Sequence, residues 1–472
     1  MIADLKPYPE YKGSGSRWLA NVPSHWEVRN LRTLIRPRNE RNRADLPLLS
    51  VAREKGVFVR SLTDADENHN AIPEDLANYK VARAGNLVIN KMKAWQGSMG
   101  IAPSDGIVSP AYYVFDFGIA DRAFGQALLR SKPYVAHFGQ ASDGVRIGQW
   151  DLTIAGMRQI PVLVPPPDEQ AAIARFLDWA NGRLDRAIRA KRKVIALLNE
   201  QKQAIIHSAV TCGLDPSVPL KSTGVPWIGV IPQHWEVRRL GHAIRLQTGF
   251  PFASAGFVQS GNGMRLLRGI NVTPAGIRWD AVVYWQRKPN DGLDEFALQI
   301  GDIALGMDRP IIGSGVRAAA VQEDDTPSLL LQRVARLRPT VRLDAKFLLL
   351  LMRGRMFADY MAPIFTGISV PHLSPEQIKK FKVPLPSLEE QRTIVSYLEA
   401  NTGGVNTAIS RLEREIDLLR EYRTRLVADV VTGKLDVREA AARLPDEAPP
   451  EIAADESDLG IDPEDADEEA VA

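Results

Sequence analysis

The chain is written twice, and that duplication constrains its architecture more than any other feature. Residues 12–31 read KGSGSRWLANVPSHWEVRNL, and residues 221–240 read KSTGVPWIGVIPQHWEVRRL. Lys12, Gly15, Trp18, Pro23, His25, Trp26, Glu27, Val28, Arg29 and Leu31 all recur 209 positions later. A second pair of segments follows at an offset of 221: VPPPDEQAAIARFLD ends at Asp178 and PLPSLEEQRTIVSYLE at Glu399. The same offset aligns LLNEQKQAIIHSAVTCGLD (197–215) with LLREYRTRLVADVVTGKLD (418–436), and Arg146 to Leu152 with Gly367 to Leu373. Each half therefore runs from an opening motif through a variable region, a proline-rich hinge and a helical segment to a closing Leu-Asp. A period this long excludes a solenoid and fits a duplicated domain pair. Such a chain can fold with an internal pseudo-two-fold.

The helical segments carry a heptad seam. Val395, Leu398, Thr402, Val405, Ile409, Leu412, Ile416, Leu419, Arg423, Leu426 and Val430 alternate in steps of three and four. The aligned positions of the first half are Ala174, Leu177, Asn181, Leu184, Ile188, Lys191, Ile195, Leu198, Lys202, Ile205 and Ala209. Matching registers predict that the two segments pair, antiparallel if the halves are related by a two-fold; the alternatives are a general dimerisation coiled coil and two amphipathic helices on unrelated cores. Gly182 and Gly403-Gly404 predict a break in each segment, because glycine costs about 1 kcal/mol inside a helix. The expectation is a short helix (169–180, 390–401), a cap at Asn181 or Thr402, and a long helix (183–210, 404–431) spanning roughly 42 Å. Pro165-Pro166-Pro167 and Pro384/Pro386 stop the preceding strands.

The variable regions, 32–165 and 241–386, alternate short β-branched and aromatic runs with Gly, Pro, Asn and Asp, as mixed α/β domains do. Helices are expected near 120–130 and 344–361. Gly85-Asn86-Leu87-Val88-Ile89 mirrors Gly301-Asp302-Ile303-Ala304-Leu305, and a basic, glycine-bearing loop follows each. A shared scaffold with different loops suits two readers of different sequences. Lys and Arg neutralise phosphates, and Arg, Asn and Gln pair with purine edges. The candidate contacts are Arg53, Lys55, Lys91, Lys93, Gln96 and Gln149 in the first region, and Arg265, Arg268, Asn271, Arg309 and Arg317 in the second, with a solvated surface side chain as the alternative reading of each.

Charge supports an anionic partner. The chain has 59 basic and 57 acidic residues, but 12 of the acids lie in residues 445–472, which hold no Lys or Arg. Residues 1–444 thus carry 59 basic against 45 acidic groups, or +14. The tail has the composition of a disordered segment; it reads first as a solvated tail, and second as a competitor with DNA for the basic faces. No apolar run approaches a membrane span, and the first residues lack a signal-peptide core. Cys212 stands alone, which excludes an internal disulfide and a cysteine zinc cluster; a cytoplasmic location is expected. No catalytic set emerges: there is no GxxxxGK[ST] loop, no Asn/Asp-Pro-Pro-aromatic motif, no HExxH and no His/Cys metal cluster. The repeated His25-Trp26 and His234-Trp235 are read as structural packing.

These motifs resemble the specificity (S) subunit of type I restriction-modification enzymes. The resemblance rests on the twofold Pro-x-His-Trp-Glu-Val motif (23–28, 232–237), the hinge before Glu-Gln (165–170, 384–391), the heptad segments and the duplicated closing motifs. It covers residues 8 to 440 and leaves out the tail. It implies an α+β fold in which two mixed α/β target-recognition domains are joined by two long helices in an antiparallel coiled coil. The expected boundaries are 1–166 and 213–387 for the recognition domains, 167–212 and 388–436 for the helical regions, and 437–472 for an acidic disordered tail. The seam residues expected in the coiled coil are Leu184, Ile188, Ile195, Leu198, Ile205, Val405, Ile409, Leu412, Ile416, Leu419 and Leu426. The implied partners are double-stranded DNA with a bipartite target, two methyltransferase (M) subunits, and in some assemblies restriction/translocase (R) subunits. The chain itself would be non-catalytic, with no cofactor or metal; S-adenosylmethionine and ATP belong to the partners. The rival readings are a duplicated coiled-coil scaffold that binds proteins without recognising DNA, and an enzyme with degenerate motifs.

Overall fold

The computed structural model describes residues 5–16, 18–19, 21–60, 76–144, 150–259, 263–313, 315–365 and 371–445. Contacts divide these into two compact units. The first holds residues up to Lys191 together with those from Glu413 onward; the second runs from Arg192 to Leu412. Both are α+β.

The first unit is built on a four-stranded antiparallel sheet. Besides β1 (Glu27–Asn30), its strands are β2 (Ile35–Arg38), β3 (Leu87–Asn90), β4 (Met99–Ile101) and β5 (Tyr112–Phe117), in the order β2-β5-β3-β4. Then come α1 (Arg122–Leu129), α2 (Lys132–Gln140), β6 (Pro161–Val164) and the long helix α3 (Pro167–Cys212). The central strand β3 is buried on both faces, which is why it reads as an unbroken apolar run. Leu87 and Ile89 face the main core with Trp26, Phe124, Tyr134 and Phe138. Val88 faces a smaller core with Leu49, Val51, Val57 and Val114. β1, from the opening motif, pairs with β6, which leads into the hinge.

The second unit repeats this plan. After β7 (Glu236–Arg239) come β8 (Ile244–Thr248), β9 (Ile303–Gly306), β10 (Ala318–Ala320) and β11 (Val334–Pro339), in the order β8-β11-β9-β10. They are followed by α4 (Ala345–Arg353), α5 (Arg355–Phe365), β12 (Lys382–Leu385) and the second long helix α6 (Leu388–Val431). β7 pairs with β12 as β1 pairs with β6. Ile303 and Leu305 face the main core with Trp235, Phe347, Phe357 and Phe381. Ala304 faces a second core with Leu267, Ala319, Leu330 and Val334.

Each long helix contributes to both units, and within each the two run antiparallel. In the first, Ile173, Phe176, Leu177 and Ala180 of α3 share a core with Leu426, Val430 and Val431 of α6. Further along α3, Asp185 pairs with Arg423, and Lys191 Nζ lies 2.5 Å from Glu415 Oε2. In the second unit, Ile206, Ala209 and Val210 share a core with Ile394, Val395 and Leu398. Leu184, Ile188, Ile409, Ile416 and Leu426 are buried; Ile195, Leu198, Ile205, Val405, Leu412 and Leu419 are half-buried. Seam polarity has local explanations, since Lys191 and Arg423 each meet a carboxylate and Thr402 donates to the Leu398 carbonyl at 2.7 Å.

Two expectations need correction. The helices do not break at Gly182 or Gly403-Gly404; α3 is 46 residues long and α6 is 44. About 1 kcal/mol per glycine is outweighed by flanking Leu, Ile and Phe side chains worth roughly 1.5–3 kcal/mol each when buried. The stop comes instead at Gly213 and Gly433, both left-handed (φ 74° and 76°), which pack on Trp235 and Trp26 respectively. Nor does the tail begin at 437. Helix α7 (Arg438–Ala442) follows α6, and Val437, Ala440 and Ala441 enter the first unit's core.

The closing motif of α3 packs on the opening motif of the second half, and that of α6 packs on the opening motif of the first. Asp436 N donates to the Lys6 carbonyl at 2.8 Å. By the two offsets, both Lys6 and Asp436 align with Asp215. The second unit is covalently continuous at this point, where the first is held by a junction between Lys6 and Asp436, far apart in the chain.

Candidate nucleic-acid interface

The duplicated His-Trp and Glu-Gln motifs meet at the base of each long helix. Glu169 Oε1 accepts from Trp26 Nε1 (3.0 Å) and Tyr8 Oη (2.6 Å), and its Oε2 lies 2.7 Å from His25 Nε2. Glu390 Oε1 accepts from Trp235 Nε1 (3.1 Å) and lies 2.7 Å from His234 Nε2, while Oε2 accepts from Ser387. Burial pushes the Glu390 carboxyl up, but these hydrogen bonds outweigh it and hold it below its usual range. Burial, helped by the Glu169 bond, raises the Tyr8 phenol. The glutamine beside each glutamate ties the hinge to a helix start. Gln170 bonds Pro165 O and accepts from Asp121 N; Gln391 bonds Pro386 O and accepts from Asp344 N. Asp121 and Asp344 are the N-caps of α1 and α4. Each glutamine thus joins the end of a hinge to the start of a helix, beside a tryptophan buried in the core.

The candidate contacts fall in two places in each unit: the connection from the central strand to the outer strand, and the layer over the free face of the sheet. In the first unit, Lys91, Lys93 and Gln96 follow β3, and Gly97 (φ 94°) turns the chain toward β4. Lys91 Nζ pairs with Asp151 at 2.9 Å; that bond raises its pKa. Lys93 and Gln96 are half-buried. Arg53 and Lys55 cap the hairpin of Leu49–Ala52 and Gly56–Val59 over the opposite face. The hairpin tip is fixed by Arg130, which donates to Arg53 O (2.7 Å) and Glu54 O (2.6 Å). Gln149 lies outside the described residues.

In the second unit the free face is covered by a three-stranded sheet of Tyr284–Trp285, Met264–Leu267 and Ser328–Leu330. Arg265 stacks on Trp279 with its guanidinium 4.5 Å from the ring centre, and donates to Asp324 O at 2.6 Å. Arg268 bonds Ala281 O, and burial lowers its pKa. Asn271 and Arg317 are both tied to backbone groups. Asn271 is buried and bonded to Arg268 N and Arg278 O; Arg317 donates to Val272 O, Asp308 O and Gly269 O. Arg317 thereby stitches the 269–272 turn to the connection after β9. Arg309 is exposed at that connection with φ 43°. Sequence reasoning missed what holds Arg309 there: Asp308 pairs with His372 (2.6 Å) and Arg333 (3.2 Å), residues distant in sequence with no shared motif.

No group of three His, Cys, Asp or Glu side chains suited to a metal ion occurs among the described residues. No described helix is long and apolar enough to cross a membrane.

Comparison with known proteins agrees with this architecture. Residues 232–417 match the type I restriction modification DNA specificity domain. The type I restriction enzyme MjaVIII specificity subunit of Methanocaldococcus jannaschii is 28% identical over 283 residues, 59% of this chain and 63% of that protein. The EcoAI specificity subunit of Escherichia coli is 29% identical over 44% of this chain and 34% of its own length. The match thus spans less than two thirds of either relative. A putative MjaX specificity subunit from M. jannaschii aligns over 89% of this chain and 96% of its own, at 20% identity. A solved structure from work on complex assembly and conformational transition of the type I R-M system has the same fold, with a TM-score of 0.58 and 17% identity over 88% of this chain and 99% of that one. Through residues 232–417 in the family match, and across the chain in its relatives, this protein is similar to type I restriction enzyme specificity subunits, as its duplicated motifs imply.

Proposed function

We propose that this chain is the DNA-recognising, non-catalytic specificity subunit of a type I restriction-modification complex and reads a bipartite target, one half-site per unit. The observation that carries this reading is the repetition of one sheet order, hinge and helix start under two different surface layers. The scaffold is shared, while the layer over the free sheet face is a hairpin in one unit and a three-stranded sheet in the other. Lys and Arg on these layers hold phosphates and set register, and Arg53, Lys55, Lys93, Gln96, Arg265, Arg268 and Arg309 are the side chains offered to DNA. The two long helices form one antiparallel coiled coil that spaces the domains. Engaging both half-sites at once raises the effective concentration of the second, so neither unit needs high affinity alone.

Two methyltransferase subunits dock on the helices. Leu197 and Leu418 occupy aligned positions 221 residues apart and are 56% and 58% exposed. Val194 and Tyr422, one turn away from each, are exposed too. A repeated apolar point on a duplicated helix suits two copies of one partner. Those partners supply S-adenosylmethionine chemistry on adenine, and an R subunit supplies ATP-driven steps.

The test is to map methylated adenines in host DNA with and without this gene. Loss of one bipartite motif is expected; no change in methylation contradicts the reading. A protein-binding scaffold would instead show association that stays flat between low and high salt, whereas phosphate neutralisation gives a steep slope.

A further inference from the structure

The described chain ends at Pro445, at a defined place on the first unit, and the acidic segment 446–472 follows it in sequence. Val437, Ala440 and Ala441 are in the core, Leu444 is buried, and Arg175 of α3 donates to the carbonyls of Leu444 (2.9 Å) and Pro445 (3.1 Å). The last described residues therefore lie against the outer side of α3.

Beyond the exposed Asp178, that same side of the helix is basic. At 3.6 residues per turn, Arg186 and Arg189 stand about three and four turns beyond Arg175, within roughly 40° of it around the axis. The buried seam residues Leu184 and Ile188 lie on the opposite side. Arg183, on the flank, stacks over Trp179 at 5.1 Å. Arg183, Arg186 and Arg189 form no ion pair with a described residue, while Asp185, the acid between them, is taken by Arg423. The aligned stretch of α6, Thr407 to Ser410 included, has no such stripe. The distance from Arg175 to Arg189 is about 21 Å along the helix, which roughly seven extended residues cover. The segment holds 12 acids and no base.

We infer that the acidic C-terminal segment docks on the Arg183–Arg186–Arg189 stripe of α3 in its own unit and keeps other polyanions off it. Only the first half carries the stripe, and only the last residues of the chain carry the acids, so the device breaks the duplication on both sides. The contact is a set of exposed charge pairs: individually weak, additive in number and sensitive to salt.

The experiment uses a labelled synthetic peptide of residues 446–472 and anisotropy at low ionic strength. The peptide is titrated into three proteins: the intact chain, the chain ending at Pro445, and that shortened chain with R183Q/R186Q/R189Q. Unchanged melting temperatures show that each is folded, and Arg186→Glu alone serves as a second stripe variant. Binding to the shortened chain is expected, with affinity about tenfold lower for the stripe variant, a loss consistent with three surface pairs. The intact chain should bind more weakly than the shortened one, because its own tail occupies the stripe. No binding to the shortened chain, equal affinity for the stripe variants, or equal affinity for the intact chain would overturn the inference. None of these outcomes depends on DNA recognition, so this proposal and the proposed function can fail separately.

Discussion

The two units use one plan with different fastenings. At the base of α3, Glu169 is 5% exposed and takes Trp26, His25 and Tyr8; at the base of α6, Glu390 is 38% exposed and takes Trp235, His234 and its neighbour Ser387. The first unit is where Lys6 meets Asp436, and the segment that carries Lys6 also brings Tyr8, whose hydroxyl adds a donor to Glu169. The sheets show a similar exchange. Asp302 at the start of β9 is bidentate with Arg338 of β11, whereas Asn86 at the matching place donates to Asp116 of β5, which pairs with Arg38. The polar tie is kept and its charges are redistributed. What is shared is what any sheet needs in order to meet a long helix; what differs is what each unit's surroundings allow.

The comparison can be broken most forcefully at the tryptophans. Trp26→Ala and Trp235→Ala should each cost about 3–5 kcal/mol in denaturant unfolding, because both rings are fully buried. A large loss at one and a small loss at the other would mean that the units are not built alike. Glu169→Gln should cost about 2–3 kcal/mol and Glu390→Gln about 1 kcal/mol, since water replaces part of what the exposed glutamate loses. Equal costs would remove the distinction between the two bases. Asp302→Asn should cost about 2 kcal/mol by leaving Arg338 without its partner, more than the reverse change Asn86→Asp.

Acid sharpens the same contrast. The Glu390 carboxyl is held below its ordinary value of 4.5 by its donors. A depressed carboxylate stabilises the fold above its unfolded pKa and loses that contribution as pH falls through the folded value. The stability gap between the wild type and Glu390→Gln should therefore shrink below about pH 4.5. A gap that widens in acid would contradict the assignment. The smallest effect is a gain: Gly403→Ala and Gly404→Ala should each stabilise α6 by about 0.5–1 kcal/mol, because a methyl group there meets no atom within 4 Å. Destabilisation would argue for a helix break.

Much of this was legible in the sequence. The doubled motifs fixed the number of units, and Gly85 to Ile89 against Gly301 to Leu305 marked the central strand of both sheets. The heptads placed Leu184, Ile188, Ile409, Ile416 and Leu426 on the covered side of the helices. Helix continuity was misread because propensity is a local quantity, and packing on both sides of Gly182 and Gly403 overrides it. The bonds that hold Asn271 and Arg317 were hidden for a related reason. Their partners are backbone carbonyls, which leave no pattern in composition. Arg130 and Asp308, which hold the loop tips, were invisible because their contacts join residues far apart in the chain.

The most direct test of two independent readers is adenine-methylation mapping in a strain carrying Lys93→Ala and Gln96→Ala, both in the first unit. The account predicts that one half of the bipartite motif is relaxed or altered while the other half and the spacing persist. Simultaneous change in both halves, or in the spacing, would contradict it.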